Sequence, residues 1–246
     1  MESKNIEKIV EEVLKQLSKD YKGDFPQDFI KDSPQSKSEV SPDIKKGLIP
    51  VGISVRHIHL SQEDIESLFG KGKKLTPMRN LLQKGEFAAE ECVMLIGPRM
   101  KAIENVRILG PIRDKTQVEV SLTDSIQLGL RPPVKPSGEH DGTPGILVVG
   151  PAGFVNLTRG VIRANRHIHI SIAEAGILGL KDSDKIMVNV CAERPLIYSE
   201  VQVRVRDSFV AEMHLDTDDA NAAGVRNGDL VQLIRSVIEC PLNLQK

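Results

Sequence analysis

The sequence predicts a mainly β fold with short helices (α+β), organised as barrels, carrying an internal repeat and preceded by an amphipathic helix and a linker. Three observations predict it. Short segments rich in Val and Ile alternate with turns, as in Val201-Gln202-Val203-Arg204-Val205-Arg206, and such alternation suits half-buried strands. The segments with helical spacing are only one or two turns long, too short to cover a parallel sheet. Finally, Arg56-His57-Ile58-His59-Leu60-Ser61 returns 110 positions later as Arg166-His167-Ile168-His169-Ile170-Ser171.

In chain order, residues 1–20 place Ile6, Ile9, Val10, Val13, Leu14 and Leu17 on one helical stripe, with Glu and Lys elsewhere. Residues 21–45 follow, with Pro26, Pro34 and Pro42 among serines and mixed charge, the composition of a flexible linker. A helix this short is marginal alone in water, so its stripe requires a partner surface. Strands are expected over 49–58, 92–97, 102–109, 117–122, 146–149, 155–164, 185–190, 196–206, 212–215 and 230–234. Short helices are expected over 62–68, 124–128, 172–177 and 218–223, several of them opened by Ser, Thr or Asp. Residues 131–145 are rich in Pro and Gly and read as a loop between the halves, with His140 a surface residue on it.

Composition excludes several classes. The 246 residues carry 33 basic and 34 acidic side chains, with only 3% aromatics and no Trp, which disfavours stacking on nucleic acid. No apolar run approaches the ~18–20 residues of a membrane span, and the charged N-terminus is unlike a secretory signal, so a cytoplasmic location is expected. Cys92, Cys191 and Cys240 are isolated, each expected as buried packing without thiol chemistry.

The duplicated phrase holds four of the six histidines. On an extended strand the two histidines of His-x-His share a face, about 6–7 Å apart at Cα, within reach of one metal ion. A strand with Ile58 and Ile168 facing a core and the histidines facing water would explain one such phrase, but the repetition of a scarce residue favours metal ligation. The repeat continues downstream. Glu119 precedes Asp124 by five residues and Gly129 by ten, and His214 precedes Asp219 and Gly224 by the same intervals. Each half therefore offers three ligands: His57, His59 and Glu119 in one, His167, His169 and His214 in the other. Three N or O ligands with an open fourth position is the pattern of catalytic zinc.

These motifs, with Gly110-Pro111-Ile112-Arg113 leading to Gln117-Val118-Glu119-Val120-Ser121, resemble the PduL-type phosphate propanoyltransferases of bacterial microcompartments. The likeness runs from about Leu48 to Ile234. It implies two packed β-barrels, one from residues 46–55 with 165–246 and the other from 56–164. It also implies a site with two Zn2+ ions that interconverts acyl-CoA and phosphate with acyl phosphate and coenzyme A. By the same resemblance Arg113 binds phosphate as the catalytic arginine. Arg79, Arg107, Leu109, Pro195 and Asn221 would contact CoA, and residues 1–20 would be an encapsulation helix that meets shell or cargo proteins inside a microcompartment. A homodimer is compatible with it.

Zinc would polarise an acyl carbonyl and accept a thiolate, and an arginine fork matches phosphate oxygens, so direct transfer needs no nucleophilic side chain. Arg56 and Arg166, facing away from their neighbouring histidines, are expected to support the site. The competing reading is a binuclear zinc hydrolase of a thioester or ester, disfavoured because no unassigned acid or histidine stands near the motifs as a base. A metal-containing shell adaptor is a third.

Overall fold

The computed structural model describes residues 41–234, all within a compact unit that spans residues 39–246. Residues 1–20, most of the linker segment and Cys240 lie outside the described residues.

The first part of the chain forms α1 (Pro42–Lys45), β1 (Leu48–Ser54), β2 (His57–His59), α2 (Gln62–Phe69), β3 (Pro77–Asn80), β4 (Phe87–Ile96), β5 (Ala102–Gly110), β6 (Gln117–Glu119), α3 (Leu122–Leu128), β7 (Val134–Lys135), β8 (Ile146–Val149), β9 (Phe154–Leu157) and β10 (Val161–Ala164). The remainder forms β11 (His167–Ile170), α4 (Ile172–Leu178), β12 (Lys185–Val190), β13 (Leu196–Val205), β14 (Glu212–Asp216), α5 (Thr217–Ala223) and β15 (Leu230–Ile234). The fold is mainly β, as the alternating Val and Ile predicted.

Six strands close a barrel in the order β1-β14-β11-β13-β12-β15. Its interior is filled by branched aliphatics such as Ile49, Val51, Ile168, Ile170 and Val203, all at most 2% exposed. The other nine strands form a sheet ordered β7-β10-β6-β2-β5-β4-β8-β9, with β3 on β4, curled into a half-barrel. Its core gathers Ile58, Val93, Leu95, Val106, Ile108 and Val118. At about 25 cal/mol per Å2 of apolar surface, burying these side chains is the main term holding each half together. Ile44 of α1, at the end of the segment read as linker, is buried in the closed barrel's core.

Where the structure departs from the predicted elements, pairing explains the difference. The single strand expected over 49–58 is two strands in two different sheets: β1 pairs with β14 and β15, whereas β2 pairs with β5 and β6. Apolar character runs across the break, but the partners change at Val55 and Arg56. The strand expected over 155–164 divides into β9 and β10 around Gly160, whose φ of +111° suits glycine and interrupts the ladder. β3, β7 and the first residues of β4 were not foreseen. Cys92 is half-buried and Cys191 exposed, contrary to the buried packing expected of each.

The internal repeat is a repeat of topology. β2 is parallel to β5 and antiparallel to β6; β11 is parallel to β13 and antiparallel to β14. Each of β2, β6, β11 and β14 then runs into a short helix whose N-cap is Ser61, Ser121, Ser171 or Asp216, accepting a backbone N–H from its first turn. In every case the cap stands two residues after a predicted ligand. The arginines before the His-x-His strands close the repeat. Arg56 Nε lies 2.8 Å from Asp124 Oδ1, and Arg166 binds both oxygens of Asp219 at 2.8 Å. Asp124 and Asp219 sit in the first turns of α3 and α5, so each pair fastens a histidine strand to the helix behind the third ligand.

Candidate active site

The register of the ligand strands brings the predicted residues together. His57 is the direct partner of Glu119 across β2 and β6, and His167 of His214 across β11 and β14. Directly opposed residues on adjacent strands share a face, so each third ligand arrives beside its His-x-His. In each set, His57, His59 with Glu119 and His167, His169 with His214, ligand atoms lie within 4.8 Å of one another. His57 Nε2 stands 3.5 Å from Glu119 Oε2. One cavity between the halves is lined by members of both sets, His57 and Glu119 on one side and His167 and His214 on the other.

The rings are oriented by backbone. His57 Nδ1 contacts the Val55 carbonyl and His167 Nδ1 the Asn165 carbonyl, each at 2.8 Å, while His59 Nδ1 is 3.1 Å from the Leu109 carbonyl. An Nδ1–H donated to a carbonyl leaves the Nε2 lone pair for a metal. His169 is set differently: its ring stacks on Phe209 with centroids 4.0 Å apart.

These residues fit a metal ion on two grounds. Both ring nitrogens of His169 are buried without a hydrogen-bond partner among the described residues, a costly state unless something binds them. The sets also favour the protonation states that a cation needs. Burial, with the neighbouring His57, lowers the pKa of His59 to about 3; burial and His214 lower that of His167 to about 3, and burial lowers His169 further. For Glu119 burial opposes ionisation, but His57, His59 and the Ser137 hydroxyl outweigh it and lower the carboxyl. Neutral imidazoles and an ionised carboxylate are the ligating forms.

Arg113 is half-buried in the turn after β5, its backbone N–H bound to the Leu60 carbonyl at 3.0 Å. Its guanidinium donates to Ser137 Oγ at 3.0 Å, and that hydroxyl donates to Glu119 Oε1 at 2.9 Å, so one serine joins the arginine to a ligand. Gln117 Nε2 also donates to Glu119 Oε1, at 2.6 Å, while Gln117 Oε1 lies 3.1 Å from His140 Nε2. Thus His140, read from sequence as a surface residue, is half-buried and packs behind the first ligand set. A loop composition of Pro and Gly gave no sign that Ser137 and His140 would reach the site.

Two acids near the site were also unforeseen. Glu212 Oε2 lies 3.0 Å from His214 Nε2. Buried Gln83 holds Glu212 at 3.1 Å and exchanges two hydrogen bonds with the Val210 backbone, tying the loop between β3 and β4 to the closed barrel. Glu86, on the same loop, is half-buried; burial raises its pKa against the pull of Arg113, His214 and His57. The lack of an acid near the motifs therefore does not argue against hydrolysis.

The five residues expected to contact CoA fall in two places. Arg79 and Leu109 lie in one row across β3, β4 and β5 through Ala88, and Arg107 donates to the Ala89 and Glu90 carbonyls. Pro195 follows Arg194, whose N–H binds Ala223 at the end of α5, the helix that carries Asn221; both are exposed. Among the described residues no hydrogen bond joins the two groups.

The chain is similar in sequence to known proteins over most of its length. The family model described as phosphate propanoyltransferase matches residues 50–226. A phosphate propanoyltransferase of Thermotoga maritima is 52% identical over 187 residues, covering 76% of this chain and 89% of the relative. One from Lachnoclostridium phytofermentans is 50% identical, covering 76% and 87%, and one from Listeria monocytogenes 42% identical, covering 78% and 91%. With the matched span containing all six predicted ligands and Arg113, the chain belongs to the phosphate propanoyltransferase family.

Proposed function

We propose that this chain is a zinc-dependent phosphate acyltransferase that converts a short-chain acyl-CoA, propanoyl-CoA or acetyl-CoA, and phosphate into acyl phosphate and CoA, and the reverse. The observation that carries the reading is the pair of three-residue sets, two members of each lining one cavity, with Arg113 joined to Glu119 through Ser137, in a chain of this family. His57, His59 and Glu119 would hold one Zn2+ and His167, His169 and His214 the other, supplying when bound a Lewis acid for the acyl carbonyl and affinity for a thiolate.

The protein's own residues position the reactants. Arg113, braced by Ser137, grips phosphate oxygens with a guanidinium fork. In direct transfer a phosphate oxygen bonds to the acyl carbon while the C–S bond breaks and CoA leaves as thiolate, so no side chain is acylated. Holding both reactants beside the two ligand sets would supply the orientation that a two-substrate transfer requires. Arg79, Arg107, Leu109, Pro195 and Asn221 are proposed to bind the CoA moiety.

The same proposal takes residues 1–20 as a helix that meets microcompartment shell or cargo proteins, with 21–45 as its tether and the catalytic unit in the two parts 46–55 with 165–246 and 56–164. Among the described residues no helix is long and apolar enough to cross a membrane. The test is release of CoA from propanoyl-CoA and acetyl-CoA with and without phosphate, on protein of measured metal content. Phosphate-dependent release with acyl phosphate formed supports the transferase; equal release in phosphate-free buffer would make the protein a thioester hydrolase.

A further inference from the structure

Arg204 stands beside His169. β11 and β13 are parallel and pair His169 with Arg204, so the two side chains leave the barrel on the same face, towards the ligand set. In the other half β2 and β5 pair His57 with Arg107 and Ile58 with Ile108, and one step further His59 Nδ1 meets the Leu109 carbonyl. The duplicated scaffold thus has an aliphatic residue at Leu109 and a cation at the matching Arg204.

No acidic side chain among the described residues stands within ion-pair distance of that cation. Arg204 is half-buried and, among the described residues, takes part in no ion pair and no side-chain hydrogen bond. Arg206, in the turn after β13, and Arg113, in the matching turn after β5, repel it, while Glu119 and Asp182 attract it from beyond ion-pair distance. These two turns are equivalent, since the Arg113 and Arg206 backbone N–H groups bind the Leu60 and Ile170 carbonyls at 3.0 and 3.2 Å. Arg206 is exposed and lies over the Phe209 ring, 5.4 Å from its centroid. Arg204 has no such outlet. Burial, then Arg206, lower its pKa. An anion between them removes that repulsion.

We infer that Arg204 is a second phosphate-binding residue, which with Arg113 holds the phosphoryl oxygens of phosphate and acyl phosphate, one guanidinium from each half of the molecule. The inference rests on the transferase reading above. A dianion matches two guanidinium forks better than one. The reacting phosphoryl group, rather than a phosphate of CoA, is favoured because Arg204 shares a face with the ligand His169 and interacts with the ligand Glu119.

The test uses the full chain as the parent, R204Q, R204K and R113K, with metal content measured and phosphate and propanoyl-CoA varied separately. In R204Q the KM for phosphate should rise about tenfold or more, the loss expected for a hydrogen-bonded charge, with metal content kept and the propanoyl-CoA KM within about twofold. R204K, which keeps the charge and loses the fork, should fall between parent and R204Q. An unchanged phosphate KM in R204Q overturns the inference, as does a rise confined to propanoyl-CoA, which would assign Arg204 to CoA. If R204Q fails to fold, R204K decides: a phosphate KM equal to the parent's overturns the inference. A parent without phosphate-dependent CoA release defeats the transferase reading and this inference together. A phosphate-dependent parent, impaired by R113K but not by R204Q, defeats this inference alone.

Discussion

His57 and His167 are held by the same contact in the two halves: each Nδ1 lies 2.8 Å from the backbone carbonyl two residues upstream, Val55 in one and Asn165 in the other. A carbonyl partner fixes the Nδ1–H tautomer and turns Nε2 towards Glu119 and His214 respectively. Because the partner is backbone, the orientation survives any change of side chain at 55 or 165.

Alanine at His57, His59, His167, His169 or His214 should therefore lower metal content and turnover together. Removing a ligand should weaken the affected site at least as much as losing an orienting partner does, about tenfold or more. Elemental analysis beside the CoA-release assay checks it; full activity with unchanged metal would remove that histidine from the site.

Arg113→Lys should keep both metals and raise the phosphate KM by about tenfold, since a point charge replaces a fork. Steady-state kinetics at varied phosphate read this directly. Unchanged phosphate dependence would assign the anion elsewhere.

Among the described residues Ser137 is the single hydroxyl shared by Arg113 and Glu119. Ser137→Ala should weaken metal at the His57, His59, Glu119 set by about tenfold and leave the other set intact, as loss of a supporting hydrogen bond does. Competition with a chelator of known affinity separates the two sites. Equal weakening at both would show that the serine acts on the fold.

The metal-free protein should be acid-sensitive. His59 and His167 have folded pKa values of about 3 against 6.5 unfolded, so the unfolded chain binds more protons in between. Their contribution is complete above about pH 6.5 and is lost as pH falls towards about 3. Denaturant midpoints of apo protein should fall over that range, and a flat profile would mean that these rings are not buried as neutral groups.

The stripe of Ile9, Val13 and Leu17 lies outside the described residues. Changing all three to Glu should leave specific activity near the parent value and abolish co-localisation with compartment shells. Loss of metal in that variant would instead make the helix part of the catalytic unit.

Much of the site was legible because it is written twice. The six predicted ligands occupy matched positions in the two halves, as do Asp124 and Asp219, five residues after the third member of each set, and a repeat reveals equivalence without coordinates. The roles of Ser137, Gln117 and His140 were not legible, since each acts through a hydrogen bond whose partner is set by how residues 131–145 fold back along β6 and β10.

By itself the sequence determined the strand-rich class, the duplicated His-x-His phrases and the matched positions of Glu119 and His214, because local spacing decides which side chains share a face and the repeat aligns the two halves. Only the tertiary structure decided that the apolar run 49–58 divides between two sheets. It also decided that Arg204 shares a face with His169 and that members of both sets, His57 with Glu119 and His167 with His214, line one cavity. Those outcomes depend on pairings such as Val51 with Met213, between residues far apart in the chain, and a strand's own composition does not specify which distant strand completes its hydrogen bonds.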